Sequence, residues 1–287
     1  MKLVTDCAAD LPQEDIQKYN ITVAPLFIQF PEGEVNSDDI TADDFYNRLE
    51  AMAPRFPTTA QPSAGIFADI YRKLAELGED IFSVHISSGL SGTIQSAQLG
   101  AAQVPEAKVH LVDTLTLSGG ERFQVLAAAK GILAGWKPEA ILERLHKIQQ
   151  STELIYTLET LDYLARGGRI GRVQALAGSL LRLKPVIHVD RADGKYDTVG
   201  KARTIPKALE ILVDSVAAKY SPTTPVWATV LHGRFAEQAN ILASMLQARL
   251  RVAKLEIERI SPVLGVHTGP GIVGVGVVPI SLMEDFG

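Results

Sequence analysis

The chain has 287 residues, 46% hydrophobic and 21% charged, an ordinary balance for a folded protein with one sizeable core or two modest ones. A net charge of −5 argues against a nucleic-acid binder, and no apolar run reaches the ~18 residues of a bilayer span. A single cysteine, Cys7, excludes an intrachain disulfide framework and a cysteine-based metal site.

The opening segment MKLVTDCAADLP places Asp6 and Asp10 where a signal peptide would need an apolar stretch, so a cytoplasmic protein is expected. Cys7 reads as a small residue at the end of a buried strand. Short apolar runs then alternate with amphipathic stretches, the pattern of an α/β fold. Lys2–Thr5 and Val23–Phe30 read as strands. Thr41–Met52 reads as a helix, with Thr41 as its N-cap and Asp44 three residues on. Pro62–Gly78 sets Ile66, Ile70, Leu74 and Leu77 on one helical face. Strand Ile81–Ile86, a Ser/Gly-rich turn and a further helix follow, then strand Val109–Thr114. Helices are expected over Gly119–Gly135 and Lys137–Gln150, the second with Pro138 in its first turn.

Beyond Ser151 the chain reads as strand Glu153–Glu159, then a helix, a Gly-rich turn and a helix up to Leu181. Lys184–Asp190 and Gly194–Arg203 form a hairpin through Arg191–Gly194. Strands Val226–His232, Val252–Ile260 and Gly271–Pro279 are interleaved with helices over Ile205–Tyr220 and Phe235–Leu250. The expectation is two α/β domains. Residues 1–150 form a three-layer α/β/α unit on a parallel sheet, and residues 151–287 a two-layer unit on a mixed sheet.

The turn SSGLSGTIQSAQLG (Ser87–Gly100) holds the most chemistry. A hydrolase elbow, G-x-S-x-G, fails because Thr93 stands where the second glycine belongs. A phosphate loop fails because the stretch has no lysine. GPGIVG (Gly269–Gly274) matches a dinucleotide fingerprint by letter, but a β-rich segment follows it instead of a helix. What survives is a helix N-terminus whose free N–H groups, with the hydroxyls of Ser91 and Thr93 and the close approach allowed by Gly92, suit a carboxylate or a phosphate. Ser91 as a plain helix cap is the competing account.

Three further segments carry polar groups. FPTTAQPS (Phe56–Ser63) places Thr58 and Thr59 before a helix start. Arg166, Arg169 and Arg172 recur every third residue around flexible glycines, and arginines on an acidic chain are most often ion-pair partners. His267 lies in the Gly/Pro-rich loop GVHTGPG. No histidines have metal-ligand spacing, so no metal is expected.

Taken in order, TDCAADLP, TTAQPS, SSGLSGTIQSA, VDT, LDYLARGGRIG, KPVIHVDRADG, GKAR and HTGPG resemble the DegV family of bacterial fatty-acid-binding proteins across essentially the whole chain. The resemblance implies a two-domain carrier with no catalytic residue and no cofactor, holding one long-chain fatty acid in a tunnel between its domains. It implies carboxylate binding by Thr59, Ser91 and Gly92, with Arg169 and His267 supporting the head-group region or partner docking. It also implies a separate fatty-acid kinase as partner, which makes the acyl phosphate used in phospholipid metabolism, and transient contact with a membrane. The chain departs from the family pattern at Cys7, at Ala60 and over Leu115–Phe123.

A sixteen-carbon tail would bury roughly fourteen methylenes at ~0.8 kcal/mol each, on the order of 10 kcal/mol gross. A hydrogen bond to a carboxylate contributes about 1.5–3 kcal/mol. The tail would thus supply affinity and the polar end orientation. The rival account is a small-molecule kinase or acyl-transfer enzyme using the Ser91 loop; the missing phosphate loop and the lack of a recognisable Ser-His-Asp motif weigh against it.

Overall fold

A computed structural model of the chain describes residues 1–174 and 183–286. The strands in chain order are β1 (Lys2–Asp6), β2 (Ile21–Ala24), β3 (Phe27–Phe30), β4 (Gly33–Asn36), β5 (Thr58–Ala60), β6 (Ile81–His85) and β7 (Val109–Asp113). β8 (Glu153–Leu158), β9 (Lys184–Asp190), β10 (Lys195–Ala202), β11 (Val226–His232), β12 (Val252–Arg259) and β13 (Ile272–Pro279) follow. The helices are α1 (Gln13–Lys18), α2 (Ala42–Ala51), α3 (Ala64–Ala75), α4 (Thr93–Ala101), α5 (Ser118–Leu133), α6 (Pro138–Ser151) and α7 (Asp162–Arg166). After them come α8 (Ile205–Ala217), α9 (Ala236–Arg249) and α10 (Pro262–Thr268).

The first sheet has the order β2-β1-β6-β7 with every pair parallel. Its central strands β1 and β6 are buried on both faces, which is why they read as nearly unbroken apolar runs rather than as alternation. Leu3 and Phe82 pack with Phe123, Leu126 and Leu145 on one side, and Val4 and Ile81 with Phe67, Ala68 and Tyr71 on the other. The helices thus form two outer layers around the sheet.

The second sheet, β10-β9-β8-β13-β11-β12, is mixed, since only β11 and β12 run parallel. One face carries α8 and α9 through Leu209, Leu212, Leu242 and Leu246 against Val230, Val273 and Val275. The other face, with Leu154, Tyr156, Leu158, Ile187 and Leu231, closes on Leu26, Ile86, Leu117 and Leu264. There α5 reaches β13 glycine to glycine: a Cβ on Gly119 would lie 3.5 Å from the Gly276 Cα.

Two expectations fail locally. Val23–Phe30 is not one strand. Pro25, with no N–H to give the sheet, breaks it, so β2 stays in the parallel sheet and β3 joins an antiparallel sheet of order β4-β3-β5. His267 does not lie in a loop but in α10, which Pro262 starts and Gly269 ends at a φ of 72°. The helix expected up to Leu181 runs outside the described residues. The Thr41 cap is present, with the Asp44 N–H donating to Thr41 Oγ1 at 3.1 Å and the Thr41 hydroxyl to Asp44 Oδ2 at 2.7 Å. The hairpin through Arg191–Gly194 also forms.

Candidate functional site

β5 hangs on β3 by antiparallel pairing, Thr59 opposite Ile28, which fixes the face on which the Thr59 hydroxyl emerges. α10 approaches from the second half of the chain. Thr59 Oγ1 and His267 Nε2 meet at 2.8 Å. Burial, with the nearby Arg169 charge, pushes the His267 imidazole down to about 4, so the ring is neutral at physiological pH. Its Nδ1 is buried without a partner among the described residues. The ring lies so close to Gly167 that a side chain there would occupy the place of Nδ1.

The Ser91 turn faces this pair. Ser91 Oγ lies 2.8 Å from Thr93 Oγ1 and accepts the Thr93 N–H at 3.3 Å, while Gly92 takes the cap position of α4 with no side-chain cap bond. Ser91 therefore closes a short turn ahead of α4 and does not cap the helix itself. Arg169 crosses from the Gly-rich turn, donating from Nη1 to the Gly167 carbonyl at 2.7 Å and from Nε to the Leu90 carbonyl at 3.4 Å. Among the described residues it makes no ion pair with a carboxylate. The turn that lacks a cation of its own is thus supplied with one from the other half of the chain.

Thr59, Ser91, Arg169 and His267 line one cavity. Ala60, Gln61 and Tyr196 join them, with Leu26, Ile86, Leu90, Leu117, Val263 and Leu264 as the apolar walls. Gly92 is not part of the wall. A Cβ at Gly92 would lie 2.7 Å from Gln61 Nε2, so this glycine keeps room for the Gln61 amide. The sequence reading missed the walls and Tyr196. Tyr196 sits on β10 opposite Val189, and nothing in its local pattern distinguishes a cavity tyrosine from a core one. Gln61 stands two residues after Thr59 in TTAQPS, and nothing in that stretch marks its amide as a cavity group.

The three arginines have separate tasks. Arg172 pairs with Asp190, Asp193 and Asp197. Arg166 stacks on the Phe56 ring at 3.9 Å and donates to the Pro54 carbonyl. Only Arg169 reaches the cavity.

The fold also assembles a Ser-His-Asp chain that no motif announces. Ser83 Oγ lies 2.6 Å from His85 Nε2, and His85 Nδ1 lies 2.9 Å from Asp6 Oδ2. Ser83 and His85 are fully buried, and the Ser83 hydroxyl is taken up by Tyr71 Oη at 2.7 Å. This chain locks β6 to β1 and offers no nucleophile to a substrate. Among the described residues no group of three His, Cys, Asp or Glu is placed to hold a metal, and no helix is long and apolar enough to cross a membrane.

Comparison with known proteins matches residues 1–280 to the family described as "Uncharacterised protein, DegV family". The chain belongs to the DegV family. A DegV domain-containing protein of Deinococcus radiodurans is 37% identical over 260 residues, covering 91% of this chain and 90% of that protein. A solved DegV family protein of Thermus thermophilus, described by its fatty acid binding, is 33% identical with a TM-score of 0.90, covering 97% of this chain and 99% of its own. A stearic acid-binding protein of Eubacterium ventriosum is 28% identical with a TM-score of 0.88, covering 99% of both chains. The DegV relatives thus share this arrangement of a parallel and a mixed sheet over nearly their full length.

Proposed function

We propose that this DegV protein binds one long-chain fatty acid between its two sheets, with the carboxylate at Thr59, Ser91 and the Gly92 turn. Arg169 and His267 support that end. The observation that carries the reading is the make-up of the cavity wall: hydroxyls, an amide and a guanidinium that has no carboxylate partner among the described residues, together with Leu26, Ile86, Leu117, Val263 and Leu264. A neutral His267 beside Thr59 adds a hydrogen-bonding group without a second fixed charge. The fatty acid binding described for the Thermus thermophilus relative, at 33% identity, points the same way.

The chain acts as a carrier rather than an enzyme. It presents the carboxylate to a separate fatty-acid kinase, which forms the acyl phosphate. A single cation and a few neutral donors hold the head group lightly enough for another protein to act on it. The working units are residues 1–150 and 151–287, and the ligand lies at their seam.

The test is to denature the purified protein and analyse the extract by mass spectrometry. Close to one fatty acid per chain is expected. No lipid, together with no rise in melting temperature on adding palmitate or oleate, would sink the reading. Turnover of ATP or an acyl ester by the isolated chain, lost in Ser91→Ala, would favour the enzyme instead.

A further inference from the structure

Asp10 stands outside the cavity, yet it ties together the starts of two helices that build the cavity wall. Its Oδ1 accepts the Ser261 N–H at 2.7 Å, at the entry to α10. Its Oδ2 accepts the Ser118 hydroxyl at the first residue of α5. Leu117, just before α5, and Val263, Leu264 and His267 of α10 all line the cavity. Asp10 and Ser118 both hold left-handed backbone, with φ of 48° and 51°, and Asp10 is only 8% exposed. A buried carboxylate in that conformation is fixed by its partners and in turn fixes them.

α10 is seven residues long, so its entry sets the place of His267 within two turns. Among the described residues two other bonds hold that entry, from the Val263 N–H to Ser37 Oγ and from the Ile260 N–H to the His232 carbonyl, both at 3.0 Å. We propose that Asp10 is a positioning residue: through the Ser261 N–H it sets α10 so that His267 meets Thr59 at the head-group end of the cavity. The proposal rests on the carboxylate-end reading of Thr59 and His267. It adds that one carboxylate on the loop after β1 controls their contact from the entry end of the helix.

The experiment follows the His267 ring nitrogens by NMR of the full chain with 15N-labelled histidine, lipid-free and palmitate-loaded. Asp10→Ala should shift the His267 Nε2 resonance of the lipid-free protein. Asp10→Asn should keep the wild-type position, because its amide oxygen still accepts from Ser261. Against Ser261→Ala as the control for the lost hydroxyl, Ser261→Pro removes the N–H donor at a φ of −61° that proline adopts freely. It should reproduce the Asp10→Ala shift, and the double variant should add nothing. If Asp10→Ala does not fold, Ser261→Pro decides by itself. A His267 resonance that stays in place while the melting temperature falls would leave Asp10 a plain structural tie and overturn the proposal. Additive shifts in the double variant would do the same. A wild-type His267 signal that ignores palmitate speaks against the carboxylate reading, whereas the lipid-free shifts test the tie alone.

Discussion

Thr59 and His267 lie 208 positions apart in the chain and meet at 2.8 Å. Thr59 arrives on a three-residue strand of the small antiparallel sheet, His267 on a seven-residue helix between β12 and β13. Neither element has a core of its own, so the contact exists only because both halves of the molecule fold and dock. A ligand group bound there touches both halves at once.

The tail and the head of the ligand should separate by mutation. Thr59→Val and Ser91→Ala each remove one hydroxyl donor to the carboxylate, about 1.5–3 kcal/mol, against a tail contribution on the order of 10 kcal/mol. Both variants should still co-purify with close to one fatty acid per chain, with Kd raised about ten- to a hundredfold. Acyl-phosphate formation by a fatty-acid kinase added in trans should fall further than binding. Loss of bound lipid in either single variant would refute this division.

Two groups titrate in opposite senses across the same pH window. Burial raises Asp10 to about 7, against the lowering influence of its Ser118 and Ser261 hydrogen bonds and of Arg122. The folded state then holds a proton that the unfolded chain has released, so stability falls as pH rises from about 4 to 7. His267 is lowered to about 4, so the unfolded chain binds the extra proton and stability falls as pH drops from about 6.5 to 4. Each effect is on the order of 3 kcal/mol over the window, and in the wild type they largely cancel. Glu121 and Asp38, raised by burial, and His232, lowered by it, add a pH dependence common to all three proteins. Asp10→Asn should therefore make the slope of stability against pH between 4.5 and 6.5 more positive than in the wild type, and His267→Gln more negative. Urea midpoints of the three proteins at several pH values read the two changes of slope, and changes of equal sign would contradict the assignment.

The buried Ser83–His85–Asp6 chain should behave as structure. Ser83→Ala strips a partner from both His85 Nε2 and Tyr71 Oη, each in a fully buried side chain. Leaving such groups unpaired costs about 1–3 kcal/mol each, so a marked drop in the denaturation midpoint is expected. A fluorophosphonate probe should not label Ser83 in the folded protein. Labelling, followed by mass-spectrometric mapping to Ser83, would show that the chain opens to solvent.

Local pattern made most elements legible, because capping, helical periodicity and turn chemistry act over a few residues. Thr41 with Asp44, Pro138 at a helix start and the turn at Arg191–Gly194 all specify their elements directly. The antiparallel sheet β4-β3-β5 was hidden, since Pro25 separates two apolar runs that read as one and β5 is only three residues long. Thr59, Ser91, Arg169 and His267, which line the cavity, were legible by chemistry and motif order, whereas Gln61 and Tyr196 were not. The cavity's apolar walls were not: Leu26, Leu117 and Leu264 look like any core leucine until the two sheets face each other. The Ser83–His85–Asp6 chain was invisible for the same reason, because it depends on the pairing of β1 with β6.

The Ser87–Gly92 turn is also a docking element. Ser87 Oγ donates to the Gly194 carbonyl at 2.8 Å, at the tip of the β9–β10 hairpin. Gly89 packs against the same tip: a Cβ there would run into the Asp193 carbonyl and lie 2.8 Å from the Gly194 carbonyl carbon and oxygen. Backbone cannot yield as a flexible side chain does, so Gly89→Ala should push the loop off the hairpin. Gly92→Ala meets only the exposed Gln61 amide, which can swing away. Gly89→Ala should therefore lower the melting temperature more than Gly92→Ala and weaken fatty-acid retention, because Leu90 and Ser91 move with the loop. Equal melting temperatures for the two variants would mean that the hairpin tip gives way, and that the Ser91 turn is not held by the second half of the chain.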